Sequence, residues 1–450
     1  MAITDSAELK ALRRGERAGA REIRLTGLRE FPREVFGLAD TLEFLDLSDG
    51  TLEALPEDLG RLKHLKVLFC SGNRFDRLPP VLGDCAALSQ IGFRATGLRE
   101  VPAESLPPRL RWLTLTDNAI PALPDALGHR PLLQKLMLAG NRLTALPDSL
   151  AGAGSLELLR LSANRFEALP PWLGALPRLA WLAYAGNPAE PAATRSAAPT
   201  VPWTDLEPGA LLGEGASGRI YAARWRTAPG NDAVAVKLFK GRMTSDGLPD
   251  HEMEACLAAG DHPALVGALG RVNGHPDGVP GLLMPLLPHT WQGLAGPPSL
   301  ASCSRDVFAP QTALTPDQVL RIGGDMARAA AWLHGRGLLH GDLYAHNTHW
   351  DPATGAAVLG DFGAASRLPD GATGAALQRI EVRAWAILAD ELLACCPEAE
   401  QVPADFRTLV DACLQENVTA RPAMAEVASE IESVAAVGRG RAPPVTSRQS

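Results

Sequence analysis

His340-Gly341-Asp342-Leu343-Tyr344-Ala345-His346-Asn347 is the stretch on which the reading of this chain turns. It sets a carboxylate and a carboxamide five residues apart, and a second acid follows fourteen positions later in Asp361-Phe362-Gly363. Each of these groups alone is an ordinary turn residue, because Asp and Asn side chains bond readily to nearby backbone. Two further segments precede them in order: Gly213-Glu214-Gly215-Ala216-Ser217-Gly218-Arg219-Ile220, then Val234-Ala235-Val236-Lys237. Leu212 to Ala222 reads as strand, turn, strand, and its glycines let backbone N–H groups approach phosphate oxygens without a Cβ clash. By itself this segment would pass for a common Gly-rich hairpin. Val234 to Lys237 has the alternation of a strand. The ordered set points to phosphoryl transfer from ATP.

From about Trp203 to Val437 the chain resembles the eukaryotic-like protein kinases, which implies an α+β two-lobed domain. By that resemblance Leu212, Gly213, Gly215, Gly218, Ile220 and Ala235 enclose the nucleotide, and Lys237 pairs with its α/β-phosphates. A carboxylate on the next helix steadies the lysine. Glu252 is favoured because Cys256 then faces the core one turn later, and Glu254 is the alternative. Gly281 to Leu287 resembles the strand entering the hinge, with Met284 as gatekeeper. Adenine would meet the carbonyl of Pro285 and the N–H of Leu287. Asp342 would accept or orient the proton of the attacking hydroxyl, and Asn347 and Asp361 would hold Mg²⁺. Gly293 to Pro316 reads as an insertion ahead of a helix beginning near Asp317. Glu381 to Leu393 resembles the buried central helix of the large lobe, and Thr419-Ala420-Arg421-Pro422 the arginine segment near its end.

Four departures from the family pattern matter. Gly341 stands where an arginine is usual, so no cation is there to dock an activation-loop phosphate, and no switch of that kind is expected. Tyr344 replaces a lysine, with His346 able to stand in partly near the γ-phosphate, and His349 replaces the apolar floor of the adenine pocket. Only 20 positions separate Asp361 from Glu381, with no A-P-E, so the usual peptide platform is missing and Arg421 is expected to lack its glutamate partner. Thr373 is the one hydroxyl residue between Ser366 and Glu381, a poor but testable autophosphorylation site.

The first half has a different logic. An L-x-x-L-x-L pattern starts at Leu42, Leu65, Leu88, Leu110, Leu133, Leu156 and Leu179, in steps of 22 or 23, after a degenerate unit around Ile23 and Leu25. Each unit also carries an apolar-Pro pair, from Phe31-Pro32 to Leu169-Pro170. The pattern resembles the leucine-rich repeats, which implies an α/β solenoid whose inward leucines stack coil on coil. Asn73, Asn118, Asn141, Asn164 and Asn187, each eight residues after the first leucine, can satisfy backbone groups where the chain turns. Gly50 and Thr96 replace that Asn, so the ladder is expected to weaken there. Each proline can begin a short helical turn on the convex side. The concave face is expected to present Phe44, Phe69, Arg94, Trp112, Met137, Arg160 and Trp181 to a protein partner or substrate, unless these pack on one another or on the kinase domain.

The expected domains are 1–187, the repeats; 188–203, a Pro/Ala-rich linker; 204–437, the kinase-like domain; and 438–450, a disordered tail. With 450 residues the chain is long enough for two cores. A net charge of -8 argues against nucleic acid as main partner. Seven cysteines without a C-x-x-C pair read as reduced thiols, and no apolar run reaches a membrane span, so a cytoplasmic location is expected. The combination resembles bacterial leucine-rich-repeat protein kinases. Three functions compete: a Ser/Thr protein kinase using ATP and Mg²⁺, a small-molecule kinase of the aminoglycoside-phosphotransferase type that shares H-G-D-L-x-x-x-N, and a catalytically weak scaffold. The intact Lys237, Asp342, Asn347 and Asp361 favour the first.

Overall fold

The computed structural model describes residues 7–192, 198–215, 217–228, 232–241 and 243–440. Part of the expected linker (193–197), Ala216 of the Gly-rich turn and the tail beyond Gly440 lie outside the described residues. The chain divides into two compact units. The first is Met1–Ala192 with Gly215–Ser217 and Lys240–Glu252, and the second is the remainder.

In the first unit a short helix α1 (Ala7–Arg13) precedes eight parallel strands: β1 (Glu22–Arg24), β2 (Phe44–Asp46), β3 (Val67–Phe69), β4 (Gln90–Gly92), β5 (Trp112–Thr114), β6 (Lys135–Met137), β7 (Leu158–Arg160) and β8 (Trp181–Ala183). This is the solenoid expected from the repeats. The register is unbroken, pairing Ile23, Leu45, Leu68, Ile91, Leu113, Leu136, Leu159 and Leu182 in one row. Every member of that row is at most 1% exposed. Stacking one coil on the next is therefore what creates the core, since no coil could bury its leucines alone. Pro32, Pro79, Pro102, Pro124 and Pro147 each stand at the N-terminus of a 3₁₀ turn, where a fixed φ and a missing N–H are no penalty.

The asparagine ladder forms in full geometry. Asn141 donates through Nδ2 to the carbonyls of Leu115 (2.8 Å) and Leu138 (3.0 Å), and its Oδ1 accepts from the N–H of Ile120 (3.1 Å). At Gly50 and Thr96 the coil's own Asn is missing, but the cross-coil bond from the next coil's Asn is still made. Asn73 and Asn118 of the following coils donate to the carbonyls of Leu47 and Phe93, each at 2.8 Å, and Thr96 adds its own hydroxyl to the carbonyl of Phe93 at 3.2 Å. Gly50 is moreover required, because a Cβ there would lie 2.4 Å from the Leu28 carbonyl and 2.7 Å from Asn73 Oδ1.

The strand face differs from the exposed aromatic surface expected. Phe44, Met137, Arg160 and Trp181 are buried, and Phe69, Arg94 and Trp112 are half-buried. Two causes are visible. Neighbouring coils satisfy one another, with Phe44 edge-on to Phe69 (5.8 Å) and the Lys135 ammonium 4.1 Å from the Trp112 ring centre. In addition, the unit's own residues 243–247 reach this face: Arg160 donates to Asp246 at 2.6 Å and Arg94 to the Met243 carbonyl at 2.7 Å.

The second unit begins with β9 (Thr200–Pro202), so the end of the expected linker is already an edge strand, paired parallel to β13. Then come β10 (Leu206–Glu214), β11 (Gly218–Trp225), β12 (Ala233–Phe239), the part of α2 (Pro249–Ala259) from Met253 on, β13 (Gly270–Asn273) and β14 (Gly281–Pro285), giving a sheet of order β10-β11-β12-β14-β13-β9. Val234 and Val236 pack with Val201, Leu206, Val272 and Leu283. The strand alternation then sends Ala235 and Lys237 to the other face.

After β15 (Gln292–Gly293) and the insertion, α3 (Pro316–Gly335) starts behind a reciprocal capping box between Thr315 and Gln318. Short pairs follow: β16 (Leu338–Leu339) with β19 (Ser366–Arg367), and β17 (Thr348–Trp350) with β18 (Ala357–Leu359) and β15. Helix α4 (Gly371–Ala394) begins ten residues before Glu381, and Thr373 is exposed in its first turn. Its Trp385 is fully buried and donates to the Gly323 carbonyl of α3 at 2.9 Å. The unit closes with α5 (Ala404–Cys413) and α6 (Met424–Gly440), so the helix runs into the start of the expected tail. Arg421 is buried and donates to the carbonyls of Gln415 (2.8 Å) and Arg379 (3.0 Å), which replace the acid expected to be missing. All seven cysteines are free thiols, and no described helix is long and apolar enough to cross a membrane.

Asn141→Ala deletes three bonds to buried backbone groups; the Leu115 and Leu138 carbonyls keep Asn118 and Asn164 as donors, and the Ile120 N–H loses its acceptor. It is expected to lower the stability of the first unit by about 1–3 kcal/mol in chemical denaturation; a loss below about 0.5 kcal/mol would show that relaxation or water replaces the amide.

Candidate active site

Two sheets and one turn bring the candidate residues together. Across the first sheet Gly213 lies opposite Ile220, Ile220 opposite Lys237, and Ala235 opposite the buried Met284. A register shift at Leu212 sits directly before the Gly-rich turn, a place where a bulge re-aims the strand. A Cβ on Gly213 would meet nothing within 4 Å, whereas one on Gly218 would lie 2.5 Å from the Leu238 carbonyl and 3.4 Å from Lys237 Cε. Gly213 thus borders open space, and Gly218 is glycine because β12 passes close behind it. Lys237 is buried. Gly215 and Glu252 belong to the first unit, where Gly215 takes the Lys240 ammonium on its carbonyl at 2.8 Å and Glu252 is buried in the first turn of α2. Glu254 is engaged elsewhere, with both its oxygens 2.7 Å from Arg271 Nη2. Pro285 ends β14, and Leu287 lies two positions beyond it.

The turn from His340 to Thr348 carries the second set. Asn347 donates through Nδ2 to both the carbonyl (2.9 Å) and the Oδ2 (2.8 Å) of Asp342. Its own carbonyl accepts from the Gly360 N–H at 2.9 Å, which places Asp361 beside it. His340 closes the circle through Nε2 to the Gly360 carbonyl (3.0 Å) and packs 5.2 Å from the Phe362 ring. Asp361 is exposed and left-handed, at φ 54°, the backbone strain that well-braced sites tolerate. With Nδ2 committed to Asp342, the Asn347 amide oxygen and the Asp361 carboxylate form an all-oxygen pair. That donor set suits Mg²⁺, a hard cation usually held by one or two protein groups plus phosphates.

Sequence reasoning missed the groups that hold this turn. Glu381, fully buried on α4, accepts from the Gly341 N–H at 2.7 Å and meets His334 Nε2 at 2.8 Å. Burial works to raise its pKa, but the His334 bond and charge, His340 and the Gly341 N–H outweigh it and hold the carboxyl below the usual range. An acid inside the apolar run Ile380-Glu381-Val382 was the available signal. Gly341 sits at φ 74°, so its replacement of arginine also removes a strained residue. The second missed group is Asp306 of the insertion, which meets His346 Nδ1 at 2.7 Å. No local pattern announces it. Burial opposes a charged His346, yet the Asp306 bond and the fields of Asp342, Asp306 and Asp361 raise its pKa above the usual value. His349, on β17, has its pKa lowered by burial and so favours the neutral ring, which eases its place in an apolar floor.

The profile of the leucine rich repeat family matches residues 108–187, and that of the protein tyrosine and serine/threonine kinase family matches residues 206–394. Leucine-rich repeats and a protein-kinase domain are therefore both present. The probable serine/threonine-protein kinase gdt4 of Dictyostelium discoideum is 31% identical over 156 residues, 34% of this chain but 8% of that protein. The structure of a leucine-rich-repeat protein of Leptospira interrogans matches at 25% identity and a TM-score of 0.36, over 40% of this chain and 51% of that one.

Glu391 of α4 offers a titration test. Its pKa is pushed up to about 8 by burial and by the nearby Asp306 charge. The folded chain then holds a proton that the unfolded chain releases near 4.5, so this group's contribution falls as pH rises from about 4.5 to 8. Glu391→Gln is expected to raise the thermal midpoint over wild type progressively between pH 5 and 8, and an unchanged difference across that range would contradict the shift.

Proposed function

We propose that the chain is an ATP-dependent protein kinase that transfers the γ-phosphoryl group to Ser or Thr hydroxyls of proteins, with the repeats recruiting the partner or substrate. The observation that carries this reading is the Asp342–Asn347–Gly360 connection, which bonds Asn347 both to Asp342 and to the residue before Asp361, and so supports Asp342 as base with Asn347 and Asp361 as metal ligands. Asn347 fixes one oxygen of Asp342, and the other faces the acceptor hydroxyl. As the acceptor oxygen bonds to Pγ, the bond from Pγ to the β,γ-bridging oxygen breaks, ADP leaves, and the hydroxyl proton passes to Asp342. Lys237 orients the α/β-phosphates, and the Arg271 pair on Glu254 supports Glu252 as the carboxylate that steadies it. The open space at Gly213 suits phosphate, and Ala235, Met284, Pro285 and Leu287 border the adenine. Mg²⁺ held by Asn347 and Asp361 would neutralise charge developing on the phosphates.

A second reading has an observation of its own. Seven residues lie between Gly363 and the start of α4 at Gly371, too few to build a peptide platform, which favours a small acceptor such as an aminoglycoside. Radiolabelled ATP with Mg²⁺, a protein mixture and aminoglycosides separates the two. Label is expected on protein, with Asp342→Ala and Lys237→Ala each losing at least about 100-fold. Label confined to the small molecules would move the second reading forward, and equal labelling by both variants would reject catalysis altogether. For recruitment, Trp112→Ala is expected to lower capture of a native substrate about 10-fold or more with autophosphorylation retained; undiminished capture would remove this face from the reading.

A further inference from the structure

The insertion between β15 and α3 does more than fill space. Leu294 attaches it to the β17 edge, its N–H donating to the Thr348 carbonyl at 2.9 Å. Gly296 and Val307 then close an antiparallel bridge, bonded both ways at 2.9 and 3.0 Å. That bridge fixes the backbone on the C-terminal side of Asp306, whose side chain is 0% exposed. Its two oxygens have separate tasks: Oδ2 accepts from the His346 main-chain N–H at 2.9 Å, and Oδ1 from the imidazole Nδ1 at 2.7 Å. A carboxylate only accepts, so Nδ1 carries the proton. The ring is also braced against Tyr344, 4.9 Å between centres.

His346 immediately precedes Asn347, so one buried carboxylate grips main chain and side chain of the residue that leads into the Asp342–Asn347 pair. Opposite it, Glu381 grips Gly341, immediately before Asp342. The two acids pin the two ends of the turn. In this chain the arginine at 341 is absent and the segment after Gly363 is short, so the brace comes from the insertion.

We propose that Asp306 is a positioning residue for phosphoryl transfer, clamping His346 so that Asp342 and Asn347 stand at their working places without a phosphorylated activation loop. The proposal rests on the kinase reading above, and its test is chosen so that either can fail alone. In the full-length chain, Asp306→Asn keeps the shape but offers one acceptor oxygen where two are used. It is expected to speed amide hydrogen exchange at His346 and Asn347 about 10-fold or more, a readout that needs no turnover. It should also lower kcat about 10- to 100-fold with KM for ATP changed less than about twofold, since displaced catalytic groups cost rate rather than nucleotide binding. Asp306→Glu, with both oxygens kept, should recover part of the loss. Should Asp306→Asn fail to fold, Asp306→Glu and His346→Ala carry the comparison: the first should retain more rate than the second. Unchanged exchange overturns the proposal even if the enzyme is active. So does a kcat loss matched by an equal rise in KM, or a His346→Ala loss as large as that of Asp306→Asn, which would assign the role to the imidazole alone. A wild-type chain without turnover would sink the kinase reading, and the exchange comparison would still decide the clamp.

Discussion

The bond from the Gly341 N–H to the buried carboxylate of Glu381 is the constraint on which the turn from His340 to Thr348 depends. A carboxylate taken out of water is costly unless its oxygens are used, and here one oxygen holds the turn while the other meets His334 of α3. The central helix, the helix behind it and the turn after His340 are thereby one hydrogen-bonded object. Everything downstream is positioned relative to it: Asn347 on Asp342, Gly360 on Asn347, and His340 back on Gly360. Gly341 permits this, because its left-handed backbone presents the N–H to the helix without a Cβ penalty.

The same device, an asparagine capping carbonyls, appears in both units with different consequences. In the repeats Asn141 spends its amide nitrogen on two buried carbonyls and its oxygen on a backbone N–H, so nothing is left over. In the turn after His340 Asn347 spends only the nitrogen, on Asp342. A ladder residue commits both ends of its amide to backbone, and the turn residue commits one. Residue identity is the same in the two cases, and the difference lies in whether an N–H donor from a neighbouring coil is within reach.

The repeat face shows how a binding surface is reshaped by its own chain. Arg160 and Arg94 sit on the strand face where an external acidic or carbonyl group would be expected to dock, and both are met by residues 243–247. A charge buried against a partner is stable only while that partner stays, because removal strands the guanidinium. The face is thus already partly engaged, and its aromatic residues are shared between coils rather than turned outward.

The solenoid was readable in the chain because its determinants are local and periodic: leucines every 22 or 23 residues, an Asn at the same place in five of seven coils, an apolar-Pro pair in each unit. The ordered phosphate-site motifs were readable for a related reason, since each is a contiguous string whose spacing is set by one strand or one turn. The cross-coil bonds at Gly50 and Thr96 follow the same repeat rule, although they join two coils and so are invisible within either one. Asp306 is 40 residues from His346, and Glu381 is 40 from Gly341, so no periodicity links either pair. Likewise, Arg160 and Asp246 are 86 positions apart, and nothing in either neighbourhood points to the other. The amino-acid sequence by itself determined the two architectures and the candidate site residues. Tertiary structure alone decided which buried carboxylates hold those groups in place, because a long-range bond is selected by the burial and geometry of the folded chain, not by spacing along it.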